Sequence, residues 1–243
     1  MAEAKPMGPA AGRAWLVVGQ GLHGLVLGEE IGRLTGLGQR IELDFGVAAT
    51  MALGSLLVPG VTAGRAAAVN AGTALGALHG VAFADWSGPK TLGPPMLVGQ
   101  LVGTGLGFAL AWTDPDHRRV ATANSIAFWS GLLLYEIRKS RSQADDLYVG
   151  VLAADLGWAL GYAVAPDLGL SPGTLARIDL AVAGAWTVGF FYRETAGSTR
   201  SAYFPALAVA ASLGFGLGLA RPWDDRPLTL MPTANGLALA GQF

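Results

Sequence analysis

The feature that most constrains this chain is a series of eight apolar segments, each 17–20 residues long, separated by short polar stretches. At 1.5 Å per residue, helices of that length measure about 26–30 Å, which is close to the hydrocarbon thickness of a bilayer. Strands of that length would be unusual, and the segments show little alternation of apolar and polar residues. The pattern therefore predicts helices that cross a membrane.

The segments alternate between two types that repeat along the chain. Three features recur at a spacing of 52 residues: the tripeptide Gly-Arg-Ala at 12–14 and 64–66, Gly24 and Gly76, and Gly28 and Gly80. The first type covers 13–29, 65–84, 119–137 and 174–192, and the second type covers 41–58, 95–113, 146–165 and 202–220. We therefore predict four two-segment repeats, 13–58, 65–113, 119–165 and 174–220, between an N-terminal tail (1–12) and a C-terminal tail (221–243).

Glycine occupies 36 of the 243 positions, and inside the segments it recurs every three or four residues. In water each such glycine costs a helix about 1 kcal/mol relative to alanine. In a bilayer the same glycines let two helix backbones approach closely. We therefore expect six of them to lie at helix–helix contacts: Gly24, Gly28, Gly76, Gly80, Gly103 and Gly107.

Composition narrows the class further. Charged residues make up 14% of the chain, apolar residues make up 52%, cysteine is absent, and the net charge is −1. This balance argues against a disulfide scaffold, a thiolate metal site and a nucleic-acid-binding surface. We predict an all-α polytopic membrane bundle of about eight short glycine-rich helices in repeated hairpins. A short β-hairpin-like C-terminal tail follows, with Asn235-Gly236 as its turn signal.

The distribution of basic residues predicts no orientation. With eight spans, the 16 Lys and Arg residues divide equally between the two sides of the membrane. The positive-inside rule needs an imbalance between the two sides. The charge pattern therefore does not distinguish an inner-membrane from an outer-membrane location.

The repeat resembles a bacterial family of glycine-rich, tandem-repeat membrane proteins found in myxobacteria and related groups. The matching stretches are Gly-Arg-Ala at 12–14 and 64–66, 69–72, 123–125 with Trp129, 170–173 with 177–180, and the ending 236–243. The resemblance covers most of the chain and implies a bacterial membrane protein. Because the family brings no activity, no functional residue is carried over from it.

One stretch has the formal pattern of a dinucleotide-binding loop. Gly19-x-Gly21-x-x-Gly24 follows a strand-like run, and Glu42 stands near the place of the acid that binds a ribose hydroxyl. However, the copy at 64–80 loses the Gly-x-Gly, and a glycine-rich chain produces such matches by chance. A nucleotide-binding enzyme is therefore only a second alternative.

Polar residues inside the apolar segments are the remaining candidates, because a polar or ionisable group inside a membrane is costly unless it is paired or functional. They are Asp44, Asn70, Gln100, Asn124, Asp155 and Asp179. They can serve as interhelical contacts or can line a polar path. Asp155 is the deepest acid by sequence, and we expect it to face the protein interior.

No catalytic constellation occurs in the sequence. The patterns H-E-x-x-H and the P-loop are both absent. We therefore predict no catalytic residue, no metal and no cofactor, and we favour a non-enzymatic membrane scaffold or assembly subunit. A small-solute or ion channel or transporter is the alternative. The expected partners are the lipid bilayer and either other membrane proteins or further copies of this chain, without nucleic acid.

Overall fold

A computed structural model of the chain describes residues 9–37, 40–87, 93–141, 146–196, 202–219, 228–233 and 236–241. The helices in that part are α1 (Pro9–Leu34), α2 (Ile41–Leu56), α3 (Ala63–Ser87), α4 (Gly93–Ala111), α5 (His117–Ser140), α6 (Asp146–Leu168), α7 (Pro172–Ala196) and α8 (Phe204–Gly218). Two short antiparallel strands follow, β1 (Leu228–Thr233) and β2 (Gly236–Gly241). The prediction of an all-α fold with eight helices is confirmed. Residues 1–8 of the predicted N-terminal tail, 221–227 of the C-terminal tail and Asn235 of the expected turn lie outside the described residues.

Each predicted segment falls on one helix, but the first-type helices extend beyond their apolar stretches. The pattern predicts 13–29, whereas α1 runs from Pro9 to Leu34 and includes Glu29, Glu30 and Arg33 in its last turns. Hydropathy marks where the apolar surface ends, and the helix continues past that point because its polar side chains pair with one another: Arg33 lies 2.6 Å from Glu29 and 3.4 Å from the buried Glu30. At the start of α7 Ser171 caps the helix, because its Oγ accepts a hydrogen bond from the backbone N–H of Thr174 at 3.2 Å and Pro172 occupies the first helical position.

Four of these helices are long and apolar enough to cross a membrane. The qualifying stretches are Ala63–Trp86 in α3, Pro94–Ala111 in α4, Leu147–Leu168 in α6 and Pro172–Ala196 in α7. Helix α8 is apolar but shorter. Helix α5 is more polar than these, because it begins with His117-Arg118-Arg119 and ends with Arg138 and Lys139 near Glu136.

The chain divides into two compact units, unit 1 (Met1–Val120) and unit 2 (Ala121–Phe243), with the boundary inside α5. In unit 1, α1 packs against α2 and α3, and α3 packs against α4. Its core at one end contains Leu16, Val61, Ala66, Ala68, Val69 and Ala111. In unit 2, α7 packs against α8, and the core contains Trp129, Leu175, Ile178, Val182 and Val209.

Candidate functional site

The polar side chains of unit 1 connect α1 to α3. Gln20 Nε2 donates hydrogen bonds to Asn70 Oδ1 at 3.0 Å and to Thr73 Oγ1 at 3.3 Å. Asn70 Nδ2 donates to the backbone carbonyl of Trp15 at 3.0 Å. Gly19 leaves room for the Asn70 side chain, since a Cβ at Gly19 would overlap it. Asn70, predicted as a polar contact or path residue, is thus an interhelical partner of α1.

The same group of side chains reaches α4. Thr73 Oγ1 and Thr104 Oγ1 share a hydrogen bond of 2.8 Å, and Thr104 Oγ1 donates to the backbone carbonyl of Gln100 at 2.7 Å. The Gln100 residue is only 4% exposed. Its side-chain amide has no hydrogen-bond partner in the part of the chain that the structure describes. The buried Gln100 amide therefore lowers the stability of the folded protein unless a further polar partner reaches it.

In unit 2 a carboxylate replaces the amide as the central acceptor. Asp179 in α7 accepts hydrogen bonds from Ser125 Oγ at 2.8 Å and from Trp129 Nε1 at 2.7 Å, both in α5. Asn124, the residue before Ser125, accepts a hydrogen bond from Trp158 Nε1 of α6 at 2.9 Å. Two more of the predicted polar residues therefore connect neighbouring helices.

Sequence reasoning missed the most deeply buried charged side chain among the described residues of unit 2. Glu136 in α5 is 0% exposed and accepts hydrogen bonds from Trp186 Nε1 and Arg193 Nη1 of α7, each at 2.6 Å. The guanidinium of Arg193 also lies 5.3 Å from the ring centroid of Phe190. The missed signal is a spacing, because Trp186 follows Glu136 by the same 50 residues that separate Gln20 from Asn70.

The other predicted polar residues lie apart from these contacts. Asp155 is half-buried in α6. Asp44 is half-buried in α2, and its Oδ1 has no hydrogen-bond partner within the described ranges. The six predicted polar residues are therefore divided between the units: Asp44, Asn70 and Gln100 in unit 1, and Asn124, Asp155 and Asp179 in unit 2.

Most of the glycines predicted at helix contacts lie where α3 packs on α4. A Cβ on Gly76 would meet the backbone of Gly99 and Gly103, and one on Gly103 would meet Gly72 and Gly76. The remaining four glycines also face a neighbouring backbone: Gly80 faces Pro95 and Met96, Gly107 faces Ala68 and Val69, Gly24 faces Ala48, and Gly28 faces Asp44. At these positions any side chain would force two helices apart.

The dinucleotide-like motif lies inside a continuous helix. A dinucleotide site needs a strand, a glycine turn and a helix, whereas α1 runs unbroken through Gly19, Gly21 and Gly24. Glu42 is exposed in the first turn of α2, where a second strand would be required. The motif therefore lacks the context of a dinucleotide site, and its glycines serve helix packing.

A cavity of about 230 Å³ opens at one end of unit 1. Apolar side chains form most of its wall, among them Leu16, Val61, Val69, Phe108 and Trp112, and Arg65 is the one charged residue among the described lining residues. Arg65 Nη1 donates to the Gly60 carbonyl at 2.9 Å, and Nε lies 3.0 Å from Asp114 Oδ1.

Asp114 lies in the connection between α4 and α5, and its side chain contacts the connection between α2 and α3. It accepts a hydrogen bond from Thr62 Oγ1 at 3.0 Å and has a φ of +50°, a backbone conformation that costs a non-glycine residue energy. Its two side-chain contacts, to Thr62 and Arg65, offset that cost.

His117 begins α5 near the same connection. Its Nδ1 lies 3.7 Å from Asp116 Oδ1. Burial lowers the pKa of His117 below its ordinary value of 6.5; this effect and that of the nearby Arg118 outweigh the opposing effect of Asp116. His117 is therefore mainly neutral at pH 7.

Within the described residues, no group of three or more His, Asp or Glu side chains is placed to hold a metal ion. Comparisons of the chain with family models, with curated proteins and with solved structures give no match. The resemblance to a glycine-rich repeat family therefore stays a prediction, and the function has to be argued from the geometry above.

Proposed function

We propose that this chain is an integral bacterial membrane protein that acts as a non-enzymatic scaffold or assembly subunit. Its location is supported by the apolar surface of the four candidate spans, of which only 22–39% of each window is buried. Large side chains such as Leu106, Leu156 and Phe191 are more than half exposed on these helices. Soluble monomers rarely expose contiguous apolar surface on this scale.

The scaffold role depends on one observation, namely that the polar side chains best suited to line a path pair between helices instead. Asn70, Asn124 and Asp179 each accept a hydrogen bond from a neighbouring helix. Such pairs stabilise a bundle by holding each helix in its position along the next. A bundle connected in this way presents fixed apolar faces, which is what an assembly subunit offers to other membrane proteins or to further copies of itself.

A pair of arginine substitutions tests the location. Leu156 is 68% exposed in the middle of Leu147–Leu168, and Leu57 is 84% exposed just after α2. An arginine at the centre of a span costs about 2.5–3.5 kcal/mol of insertion. We expect Leu156→Arg to lower recovery in carbonate-washed membranes strongly, and Leu57→Arg to leave it unchanged. Equal recovery of both variants without detergent, in the soluble fraction, would contradict the location.

The scaffold role is tested by the oligomeric state of the protein and by its conductance in proteoliposomes. We expect the chain, extracted in a mild detergent and run on blue native gels, to migrate in a complex larger than one copy. The same preparation in proteoliposomes should conduct neither ions nor small solutes. A monomer that conducts ions or small solutes would contradict the scaffold role and would support a channel or transporter instead.

That alternative, a channel or transporter for ions or small solutes, is favoured by Gln100. A buried amide without a partner among the described residues is suited to binding a polar solute in transit. If a path exists, Asp155→Asn should abolish flux in proteoliposomes while the fold is retained. If the residue only joins helices, the amide still forms hydrogen bonds and the variant should behave as the wild type.

A further inference from the structure

The cavity of unit 1 has a size and a lining that suit a hydrocarbon chain. An apolar cavity of about 150 Å³ is large enough to bind benzene, so the 230 Å³ here has room for roughly nine carbon atoms. Water is a poor occupant, because it needs two to four polar partners and the wall offers mostly aliphatic and aromatic carbon. The ligand class indicated by the wall is therefore an extended apolar chain.

The position of the cavity selects the source of that chain. Its wall combines the first turns of α3, at Arg65 and Val69, with the last turn of α4, at Phe108 and Ala111, and with Trp112 just after it. These are the ends of two candidate spans, Ala63–Trp86 and Pro94–Ala111. Trp112, which is 86% exposed, has the position of an interfacial anchor. At that depth the neighbouring molecules are phospholipids, and the part of each nearest the cavity is the start of an acyl chain.

Arg65 adds a preference for the headgroup. Nη1 donates a hydrogen bond to the Gly60 carbonyl, and Nε lies 3.0 Å from Asp114 Oδ1 without a hydrogen bond, so a carbonyl and a carboxylate orient the guanidinium. Within the described part of the chain, its Nη2 group makes no hydrogen bond, which leaves N–H donors for a phosphate oxygen. Basic groups between helices at a membrane surface bind anionic headgroups in this way.

We propose that this cavity binds one anionic phospholipid, with the headgroup-proximal part of an acyl chain inside and the phosphate at Arg65. The proposal rests on the membrane location argued above. It gives unit 1 a specific lipid site, distinct from the general contact between its exposed helices and the bilayer.

Two alanines of α4 supply a matched pair of variants. Ala111 is buried in the cavity wall, and Ala109, two residues earlier, is exposed. The probe is phosphatidylglycerol with a diazirine on the first half of one acyl chain, reconstituted with the full chain in phosphatidylcholine vesicles. Cross-linked peptides are then identified by mass spectrometry. We expect cross-linking to Val61 and Phe108 to fall about tenfold in Ala111→Phe, equivalent to about 1.4 kcal/mol, and to stay at the wild-type level in Ala109→Phe.

Two further variants keep the test decisive. Val58→Phe fills the same cavity from the α2–α3 connection and replaces Ala111→Phe if that variant does not fold. Arg65→Gln should reduce the preference for phosphatidylglycerol over a phosphatidylcholine probe, while Ala109→Phe retains it. Equal cross-linking in the cavity-filled variants and Ala109→Phe, or cross-links between two copies of the chain at this site, would overturn the lipid site. Those results leave the membrane location intact, because it fails only if the protein does not integrate into the vesicles at all.

Discussion

Unit 1 and unit 2 place a polar pair at the same point of their parallel helices and build it from different chemistry. In unit 1 the donor is the amide of Gln20 and the acceptor is the amide of Asn70, whereas in unit 2 the indole of Trp129 donates to the carboxylate of Asp179. Each donor precedes its acceptor by 50 residues. The repeat therefore determines where a polar contact can form, and the local side chains determine its charge and strength.

The helix hairpins of the two units also differ, in the atoms that lie against their glycines. Where α3 packs on α4, glycines face glycines, and a Cβ on any of Gly72, Gly76 or Gly103 would meet backbone atoms. Where α5 packs on α6, a Cβ on Gly157 would meet the side chain of Ser130, and one on Gly150 would meet that of Tyr135. The α3–α4 contact is thus backbone against backbone. The α5–α6 contact mixes side chains with backbone neighbours, since a Cβ on Gly161 would meet the Cα of Ala123 and one on Gly157 would also meet the Ile126 carbonyl.

The largest expected effect belongs to the buried charge of unit 2. Glu136→Ala removes the acceptor of Trp186 and Arg193, and breaking a buried ion pair costs about 3–5 kcal/mol. Glu194→Ala is the control, because Glu194 pairs with the same Arg193 at 3.3 Å but is exposed, and such pairs contribute about 0–1 kcal/mol. Thermal unfolding in detergent measures both variants.

The double variant Glu136→Met with Arg193→Met separates pairing from packing. Since it leaves no buried charge unpaired, it should recover most of the stability that Glu136→Ala loses. If Glu136→Ala and Glu194→Ala unfold at the same temperature, the Glu136 contact does not stabilise unit 2.

The next effect tests the glycine contact of unit 1. Gly103→Leu should destabilise the protein by at least about 1–3 kcal/mol, because overfilling a close contact forces the backbones apart. Gly105 lies on the same helix, and a Cβ there would meet no atom within 4 Å, so Gly105→Leu should change stability by less than about 0.5 kcal/mol. Equal melting temperatures for the two variants would show that α3 and α4 do not pack through Gly103.

Much of this comparison was accessible from the sequence. Apolar length and the polar stretches between segments predict all eight helices, because both patterns report directly on what a helix buries. The Gly-Arg-Ala repeat also has a structural meaning, since a Cβ at Gly12 would overlap the backbone of Thr62 and Ala63, and one at Gly64 would overlap that of Pro115. In both copies the glycine admits the chain that leads into the next first-type helix.

The pairing of the polar residues was not accessible in the same way. The sequence places Asn70 and Asp179 inside apolar segments, where a polar group needs a partner, but those partners lie on helices about 50 residues away. Glu136 and Arg193 stand beside the charged ends of their segments, where a polar pattern predicts solvent contact. Only the parallel packing of α5 and α7 brings them together, and hydropathy carries no information about it.

An exchange of acceptors sharpens the comparison of the two polar pairs. Asn70→Asp places a carboxylate oxygen against the Trp15 carbonyl in place of a donor, and we expect it to cost about 1–3 kcal/mol. Asp179→Asn keeps an acceptor for Trp129 and presents an amide to the Ser125 hydroxyl, which can accept, so it should cost at most about 1 kcal/mol. Chemical unfolding of both variants measures the difference, and a larger loss in Asp179→Asn than in Asn70→Asp would contradict this assignment of donors and acceptors.

We expect replacing Gln100 by leucine to raise the stability of the protein, whereas replacing its polar neighbour Gln20 by leucine should lower it. Replacing a buried amide that has no partner in the described ranges removes a desolvation cost, so Gln100→Leu should stabilise the protein by about 1 kcal/mol. Gln20→Leu, which leaves Asn70 and Thr73 without their donor, should destabilise it by a similar amount. A loss of stability in Gln100→Leu would indicate that a polar partner reaches Gln100 in the membrane, as the transport alternative requires.

The smallest effect concerns pH, and it belongs to unit 1 because the three histidines of the chain all precede residue 121. Burial lowers the pKa of His117 in the folded protein below 6.5, so the unfolded chain binds a proton first as the pH falls. Stability should therefore decrease as the pH drops through about 6.5 and level off below the folded pKa. His117→Gln removes this contribution, and the difference between wild-type and variant melting temperatures should grow from pH 7.5 to about pH 5.5. The glutamine keeps a polar group beside Asp116. A wild type that becomes more stable than the variant on acidification would mean that the Asp116 carboxylate, and not burial, controls the protonation of His117.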